Sequence, residues 1–237
     1  MPIPRTLEPE VMDTRQEAVD YDSMDHSHVN HAFVQDLLEF LNACRISASG
    51  LKFLDLGTGS ALIPICLLQQ RPGIGRVFAA DLSREMLVLA QQHLAGHRFG
   101  AEILPVCCDA KRLPVPTTAV DVVISNSIVH HIPEPRDVFT EIRRCVSAGG
   151  AVFLRDLLRP DSVDAVESIV QLYSGQENHD QQQLFRQSLH AALTVDEVRQ
   201  LAEETGFAGA NVRQTTDRHW TMTWCAGDEV TAERQRN

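Results

Sequence analysis

The 237-residue sequence lacks a hydrophobic run long enough to cross a membrane. A spanning helix needs about 18 consecutive apolar residues. The longest run here, residues 62–68, is interrupted by Pro64 and is typical of the start of a buried helix. The N-terminus also lacks the basic and then apolar pattern of a secretory signal. We therefore expect a cytoplasmic protein with no membrane partner.

Positive charge is scarce. Lys and Arg number 21 against 32 Asp and Glu, which gives a formal net charge of -11 and a pI near 5.3. Such a surface repels phosphate backbones, and the pair Arg143-Arg144 is more typical of a solvated helix face than of a binding patch. We expect no nucleic-acid partner.

Paired metal-ligand or redox motifs are also missing. None of the six cysteines forms a Cys-x-x-Cys pair, so reduced thiols in apolar segments are expected. His28 and His31 could share a helix face, with His26 or His130 nearby. No cysteine or carboxylate has clean ligand spacing around them, so we assign no metal site.

What the sequence does contain is an alternation of strands and helices. Strands are predicted near 52–56, 76–81, 102–107, 120–125 and 151–156, with two more at 210–216 and 219–226. Helices are predicted near 27–45, 60–70, 84–95, 135–146 and 194–205, with two polar helices within 160–192. This order predicts an α/β fold: a doubly wound, mostly parallel seven-stranded sheet with helices on both faces.

We expect one domain over residues 1–237. It divides into an N-terminal arm and lid helix (1–48), a cofactor-binding core (50–156), a helical cap inserted after the fifth strand (157–193), and a final helix with the last strands (194–237). Residues 1–20 are expected to be an irregular arm, and Gly149-Gly150 a helix-to-strand turn.

Polar residues or glycine follow five of the predicted strands where each ends: Gly57, Asp81, Asp109, Asn126 and Asp156. Ligands bind at the carboxyl ends of the strands in open parallel sheets. The coincidence predicts a binding site along this edge.

The loop after the first strand limits the classes of cofactor that the chain could bind. Glycines at 57 and 59 allow close backbone approach, and Asp81 at the tip of the next strand suits ribose hydroxyls. The dinucleotide fingerprint needs a third glycine where Leu62 stands, and no Walker Gly-Lys-Ser/Thr follows. Asp55 at the mouth of the loop disfavours a pyrophosphate but suits a cationic amino-acid group. S-adenosylmethionine (SAM) has that profile.

Four segments carry a family resemblance: Asp-Leu-Gly-Thr-Gly-Ser-Ala at 55–61, Ala-Asp-Leu-Ser at 80–83, Cys-Asp-Ala at 108–110, and the run from Asp121 to Ile132. Across about residues 50–156 the sequence resembles class I SAM-dependent methyltransferases. The family often has a third glycine where Ala61 stands.

The resemblance implies a role for each matched residue. The loop residues Asp55, Gly57, Thr58 and Gly59 would line the methionine part of SAM, with S-adenosylhomocysteine (SAH) as product. Asp81 would bind the ribose and Leu82 the adenine face. Asp109 and Ala110 would meet the adenine amino group, and Asn126 would lie beside the sulfonium. The alternatives are a plain tight turn for the glycines, a helix cap for Asp81 and an ordinary loop acid for Asp109.

The acceptor side is less defined. His130 and His131 follow Asn126, and histidine is a natural base at neutral pH, although the family's His-His pair can be structural. Asp156 ends the fifth strand. Arg159 could bind an acceptor carboxylate or be a loop charge.

A dense polar segment precedes the first long helix. Tyr21, Asp22 and His26 are expected to help form a lid and acceptor pocket; the alternative is a capping cluster in which Asp25 or Ser27 caps the helix.

Together these features predict an enzyme, a SAM-dependent methyltransferase that acts on a small polar molecule by in-line displacement, with Tyr21, His26, His130, His131 and Asp156 as candidate catalytic residues. A non-catalytic SAM-binding regulator and, less favoured, a nucleotide-binding oxidoreductase are the alternatives.

Overall fold

A computed structural model describes residues 3–8, 14–46 and 49–226 of the chain. Seven strands form one sheet in the order β3-β2-β1-β4-β5-β7-β6. Strands β1 to β5 are parallel, and β7 runs antiparallel to both of its neighbours. The strand bounds are Leu51–Leu56 (β1), Gly75–Asp81 (β2), Ile103–Cys107 (β3), Val120–Asn126 (β4), Val146–Leu157 (β5), Asn211–Gln214 (β6) and His219–Cys225 (β7). The predicted fold class is confirmed.

Helices cover the sheet. Their bounds are Arg15–Asp22 (α1), Ser27–Ala43 (α2), Leu62–Gln70 (α3), Arg84–Ala95 (α4), Pro135–Cys145 (α5), Val163–Ser174 (α6), His179–Ala191 (α7) and Val195–Glu204 (α8), with a 3₁₀ turn at Val129–His131. One hydrophobic cluster joins α2, α3 and α4 to the sheet, and a second joins α5 and α8 to it. Among the described helices, none is long and apolar enough to cross a membrane.

Short sequence signals set several helix ends. Ser83 accepts a hydrogen bond from the Met86 amide and caps α4 as predicted. Thr194 caps α8 in a reciprocal capping box with Glu197. Gly206, at φ 87°, follows the end of α8. These caps hold the helices against the sheet and fix where its carboxyl-edge loops lie.

Two local predictions were wrong. Residues 1–20 were expected to be an irregular arm, but from Arg15 onward they belong to α1, because Thr14 and Glu17 make a capping box and Ala18 is buried. Gly149-Gly150 was expected to be a turn, but β5 already begins at Val146 and the glycines lie in an irregularity where the β4–β5 register shifts.

The cap region rests on its own small core. Helices α6 and α7 pack together around Val166, Val170 and Leu189, and Ile3 of the N-terminal arm joins them. A bridge between Leu158 and Leu193 brings the two ends of this insertion together. The N-terminal arm is therefore held against the cap, close to the carboxyl edge of the sheet.

Candidate functional site

The glycine loop after β1 packs directly against the segment after β4. Gly57 has φ 68° and Gly59 has φ 56°, values that favour glycine. A Cβ on Gly57 would lie 1.7 Å from Cγ2 of Ile128, so no larger residue fits there. The space beside Gly59 is open, with nothing within 4 Å of an added Cβ. The loop therefore presents bare backbone to a ligand at the β1–β4 crevice.

Asp81 ties this loop to the end of β2. Its Oδ2 accepts from the Gly59 amide at 2.8 Å, and its Oδ1 accepts from the Ser83 amide at 2.8 Å. The alternative role for Asp81 was to cap the helix that follows, but the residue that caps α4 is Ser83. Burial raises the pKa of Asp81, while these amides and His131 partly oppose the rise. The carboxylate sits where ribose hydroxyls can donate to its remaining lone pairs.

Asp55 is a buried acid without a full set of partners. The residue is 1% exposed, and its Oδ2 has no hydrogen-bond partner among the described residues. Burial, with the nearby charge of Asp81, raises the pKa of Asp55 to about 7. Thr58 is also buried, at 8% exposed. A buried carboxylate of this kind is completed by a cationic donor.

The far side of the crevice carries an apolar face and an acid. Leu82 is 40% exposed, unusual for a leucine beside a sheet edge and suited to a flat aromatic ring. Asp109 Oδ1 accepts from the Lys111 amide at 2.8 Å and pairs with Lys111 Nζ at 3.2 Å. Asp109 thus stabilises a local turn, as expected of an ordinary loop acid. Its side chain is nevertheless 40% exposed, beside Ala110.

Asn126 ends β4 at the centre of the edge. Its Oδ1 is buried and has no partner in the described part of the chain. Ser127 follows at φ 60°, and its amide donates to the Arg155 carbonyl. This left-handed residue turns the chain toward the 3₁₀ turn that carries both histidines.

The core of the acceptor side is a buried His130–Asp156 pair. His130 Nδ1 lies 2.5 Å from Asp156 Oδ1, and the amides of Val129 and Leu157 donate to the same carboxylate. Burial alone would lower the pKa of His130, but Asp156 and Glu8 outweigh it and raise that pKa above its ordinary value. Burial alone would raise the pKa of Asp156, and His130 reverses this and lowers it. Asp156 therefore fixes the imidazole, whose Nε2 lies 3.6 Å from Glu8 Oε1.

Glu8 is the site residue that sequence reasoning missed. Its carboxylate is 5% exposed and lies 3.0 Å from His131 Nδ1 and 3.6 Å from His130 Nε2. Arg5 holds this arm in place by donating to the carbonyls of Ala191 and Ile132 at 2.7 and 2.8 Å. No spacing signal links Glu8 to the histidines, because the arm reaches them only through the folded cap.

Tyr21 and His26 lie together at the entrance. Their rings are 4.7 Å apart, and His26 Nε2 is 3.1 Å from the Tyr21 carbonyl oxygen. Burial, with the charges of Asp156 and Asp81, raises the pKa of Tyr21. His26 occupies the cap position of α2 but makes no capping hydrogen bond with its side chain.

Two polar residues turn out to be structural. Asp22 pairs with His93 of α4 at 2.9 Å, so it clamps α1 against α4. Arg159 is 5% exposed and donates to the Ala192 carbonyl and to Glu197, so it fastens the cap to α8.

Comparison with known proteins agrees with this geometry. The sequence profile of a methyltransferase domain family matches residues 54–154, the segment that holds the glycine loop, Asp81, Asp109 and Asn126. Residues 54–154 of this chain are therefore similar to a methyltransferase domain.

Individual relatives differ in what they act on. The chain is 28% identical to an arsenite methyltransferase of Halobacterium salinarum over 70% of this chain and 39% of that protein. It is 32% identical to a malonyl-[acyl-carrier protein] O-methyltransferase of a Marinomonas species over 60% of this chain and 52% of that one. The chain thus spans about half or less of the length of these two relatives.

Solved structures share the fold. A SAM-dependent methyltransferase from Aquifex aeolicus superposes with a TM-score of 0.64 at 17% identity, covering 89% of this chain and 97% of that one. A plantazolicin methyltransferase in complex with SAH superposes with a TM-score of 0.72 at 15% identity, covering 89% of each chain.

The family's cofactor fits the residues present. SAM carries an ammonium that can donate to Asp55 Oδ2, the buried oxygen without a partner among the described residues. SAM also carries ribose hydroxyls that can donate to Asp81. A pyrophosphate would bring negative charge against both acids. SAM is therefore the methyl donor that this family member's site accommodates.

Proposed function

We propose that this chain transfers the methyl group of SAM to a small polar acceptor held between Asn126 and the His130–Asp156 pair. The observation that carries the proposal is the convergence of two sets of groups at one sheet edge. A cofactor set surrounds the glycine loop, where Asp81 accepts from the Gly59 amide, and a polar set that includes the His130–Asp156 pair follows the end of β4 beside it.

The cofactor set would hold SAM by its two polar ends. Asp55 binds the ammonium, the bare backbone of Gly57 and Gly59 admits the methionine part, and Asp81 binds the ribose. Leu82 covers the adenine face and Asp109, with the Ala110 amide nearby, accepts from its amino group. These contacts leave the sulfonium near the end of β4, beside Asn126.

SAM supplies an electrophilic methyl group: a lone pair of the acceptor forms the new bond to carbon as the carbon–sulfur bond breaks, leaving SAH. The protein's part is to hold the acceptor in line at short range, a large source of acceleration for such a displacement. Tyr21, His26 and His131 supply polar contacts. His130, fixed by Asp156, can take the proton from an acceptor that must lose one.

The character of the acceptor side supports a small polar molecule. Its groups are carboxylates, imidazoles and a phenol, and the cap and arm pack over it. Relatives act on arsenite, a malonyl thioester carrier and quinone precursors, so kinship does not select one acceptor. Arsenite suits soft thiolate ligands. Throughout the described ranges, no three cysteines gather in one ligand group, which argues against it.

Release of SAH from SAM tests the proposal. The wild type should form SAH when polar metabolite fractions are added, with the methyl label recovered in a small molecule. Asp81→Asn should lose at least about tenfold in affinity for SAM. Asp180→Asn, at a side chain 97% exposed, is the matched control and should behave as the wild type.

The alternatives predict different results. SAH binding without label transfer to any fraction would indicate a non-catalytic SAM-binding protein. Stabilisation by NAD but not by SAM would indicate an oxidoreductase. Either result would overturn the proposal.

A further inference from the structure

The imidazoles of His130 and His131 and the carboxylate of Glu8 converge on one point. One ligand atom from each lies within 4.8 Å of the other two. Glu8 Oε1 is 3.0 Å from His131 Nδ1, yet among the described residues neither atom makes a hydrogen bond. In the tautomer that carries its proton on Nε2, His131 faces Glu8 Oε1 with a free lone pair, and the two atoms are close enough to share a ligand.

The surroundings of these three side chains resemble a metal site's outer shell. Asp156 Oδ1 holds His130 Nδ1 at 2.5 Å, which directs the lone pair of Nε2 toward Glu8. Ser188 Oγ donates to Glu8 Oε2 at 3.0 Å, which fixes the carboxylate and leaves Oε1 toward the rings. Carboxylate–histidine–metal triads and hydrogen-bonded ligand carboxylates are the supports that orient metal ligands in proteins.

Charge at the site also favours a cation. Glu8 and Asp156 place two carboxylates around the buried imidazole of His130 and the partly exposed one of His131. The hydrogen bonds that Arg5 makes among the described residues go to backbone carbonyls of the turn and cap. The two carboxylates therefore rely on the imidazoles, or on an ion bound between them, for their positive partners.

We propose that Glu8, His130 and His131 bind one divalent transition-metal ion beside the methyl acceptor. Two histidines and one carboxylate are the ligand set of open catalytic zinc and non-haem iron sites, in which the remaining positions take water or substrate. Here those positions would lie at the carboxyl edge of the sheet, because the 3₁₀ turn that carries both histidines follows β4.

The ion gives the N-terminal arm a function. Glu8 reaches the histidines because Arg5 and Thr6 fasten the arm to the end of α7 and to the 3₁₀ turn. A cleft of about 340 Å³, lined by Glu8, Gln183 and His190 among others, opens beside the carboxylate and provides a path for the ion. With the ion bound, His130 and His131 would act as ligands and no longer as base and polar contact, and an acceptor oxygen on the ion would be a stronger acid. The ion's place in methyl transfer rests on the proposed function, whereas its binding does not.

Metal binding is measured directly on the full chain, purified without a histidine tag and stripped with a chelator. Calorimetric titration with Zn²⁺ should give one site per chain, and Co²⁺ should give the intense visible bands of a site with four or five ligands. Glu8→Gln and His131→Ala should each weaken Zn²⁺ binding by at least about tenfold, and Ser188→Ala should weaken it by roughly tenfold through the freed carboxylate. His28→Ala, at an exposed histidine outside the cluster, is the matched control.

Three results would overturn the proposal. These are no Zn²⁺ binding above that of the Glu8→Gln variant, equal losses in the His28→Ala control, and a Co²⁺ spectrum typical of six water-like ligands. Because Glu8 lies on the arm and not in a core helix, Glu8→Gln should keep the wild-type circular dichroism spectrum. Zn²⁺ binding without methyl transfer would support the metal site and count against the proposed function. Methyl transfer without Zn²⁺ binding would support the proposed function and overturn the metal site.

Discussion

Replacement of Asp55 by Asn should make the free protein more stable and its cofactor binding weaker. The acid is fully enclosed, and burial raises its pKa from the ordinary 3.8 to about 7. A group whose pKa is raised on folding contributes stability below its unfolded pKa and loses it as pH rises through the folded value. As the pH rises from about 5 to about 8, the free energy of unfolding of the wild type should therefore fall by roughly 2.5 kcal/mol relative to that of Asp55→Asn.

Cofactor binding should show the opposite dependence, because the ammonium of SAH favours the ionised carboxylate. With the pKa near 7, wild-type affinity for SAH should rise by about 15-fold between about pH 5.5 and pH 7. Asp55→Asn should bind more weakly at pH 7 and should lose most of this rise, keeping only the part due to Asp81.

Two measurements check this pair of effects. Urea denaturation at about pH 5 and about pH 8 gives the free energy of unfolding. Calorimetry with SAH at about pH 5.5 and about pH 7, in buffers of different ionisation heat, gives the affinity and the number of protons released. Asp55→Asn could instead be less stable than the wild type at about pH 8, or bind SAH with an unchanged pH dependence. Either result would contradict the claim that Asp55 is a buried carboxylate that lacks a positive partner until the cofactor binds.

Other substitutions test neighbouring parts of the site. Asp81→Ala should weaken SAH binding by about 1–3 kcal/mol, the scale for lost hydrogen-bond partners, and an unchanged calorimetric affinity would reject the ribose assignment. Gly57→Ala, whose Cβ would lie 1.7 Å from Ile128, should abolish SAH binding and lower the melting temperature; normal binding would show that the loop does not pack as described. Arg159→Ala should destabilise the fold by roughly 2 kcal/mol through the lost contacts to Ala192 and Glu197, with SAH affinity unchanged. A change in acceptor KM alone would return Arg159 to the acceptor pocket.

The cofactor half of the site could be predicted from sequence because its chemistry is local. Glycines at 57 and 59 and the acid at 81 each end or follow a strand, and parallel strands bring their carboxyl ends to one edge. Strand and helix periods were strong enough to predict the alternation of strands and helices, and so the parallel sheet that places these residues together. The structure agrees with each of these elements.

The acceptor half depends on contacts that no short pattern contains. Glu8 meets His131 only because Arg5 binds carbonyls at the end of α7 and in the 3₁₀ turn. Asp22 and Arg159 were candidates for the acceptor pocket in the sequence, because a charged residue in a polar segment or after a strand has the same pattern whether it contacts a ligand or another helix. Their structural roles emerged only with their partners, His93 and Glu197.

The central claim is that the crevice between β1 and β4 takes SAM, and a thermal-shift comparison tests it most directly. Wild-type protein should gain stability with SAM and with SAH, Asp81→Ala should gain little from either, and NAD should have no effect on either protein. Stabilisation by NAD alone, or an equal response of Asp81→Ala to SAH, would contradict the account.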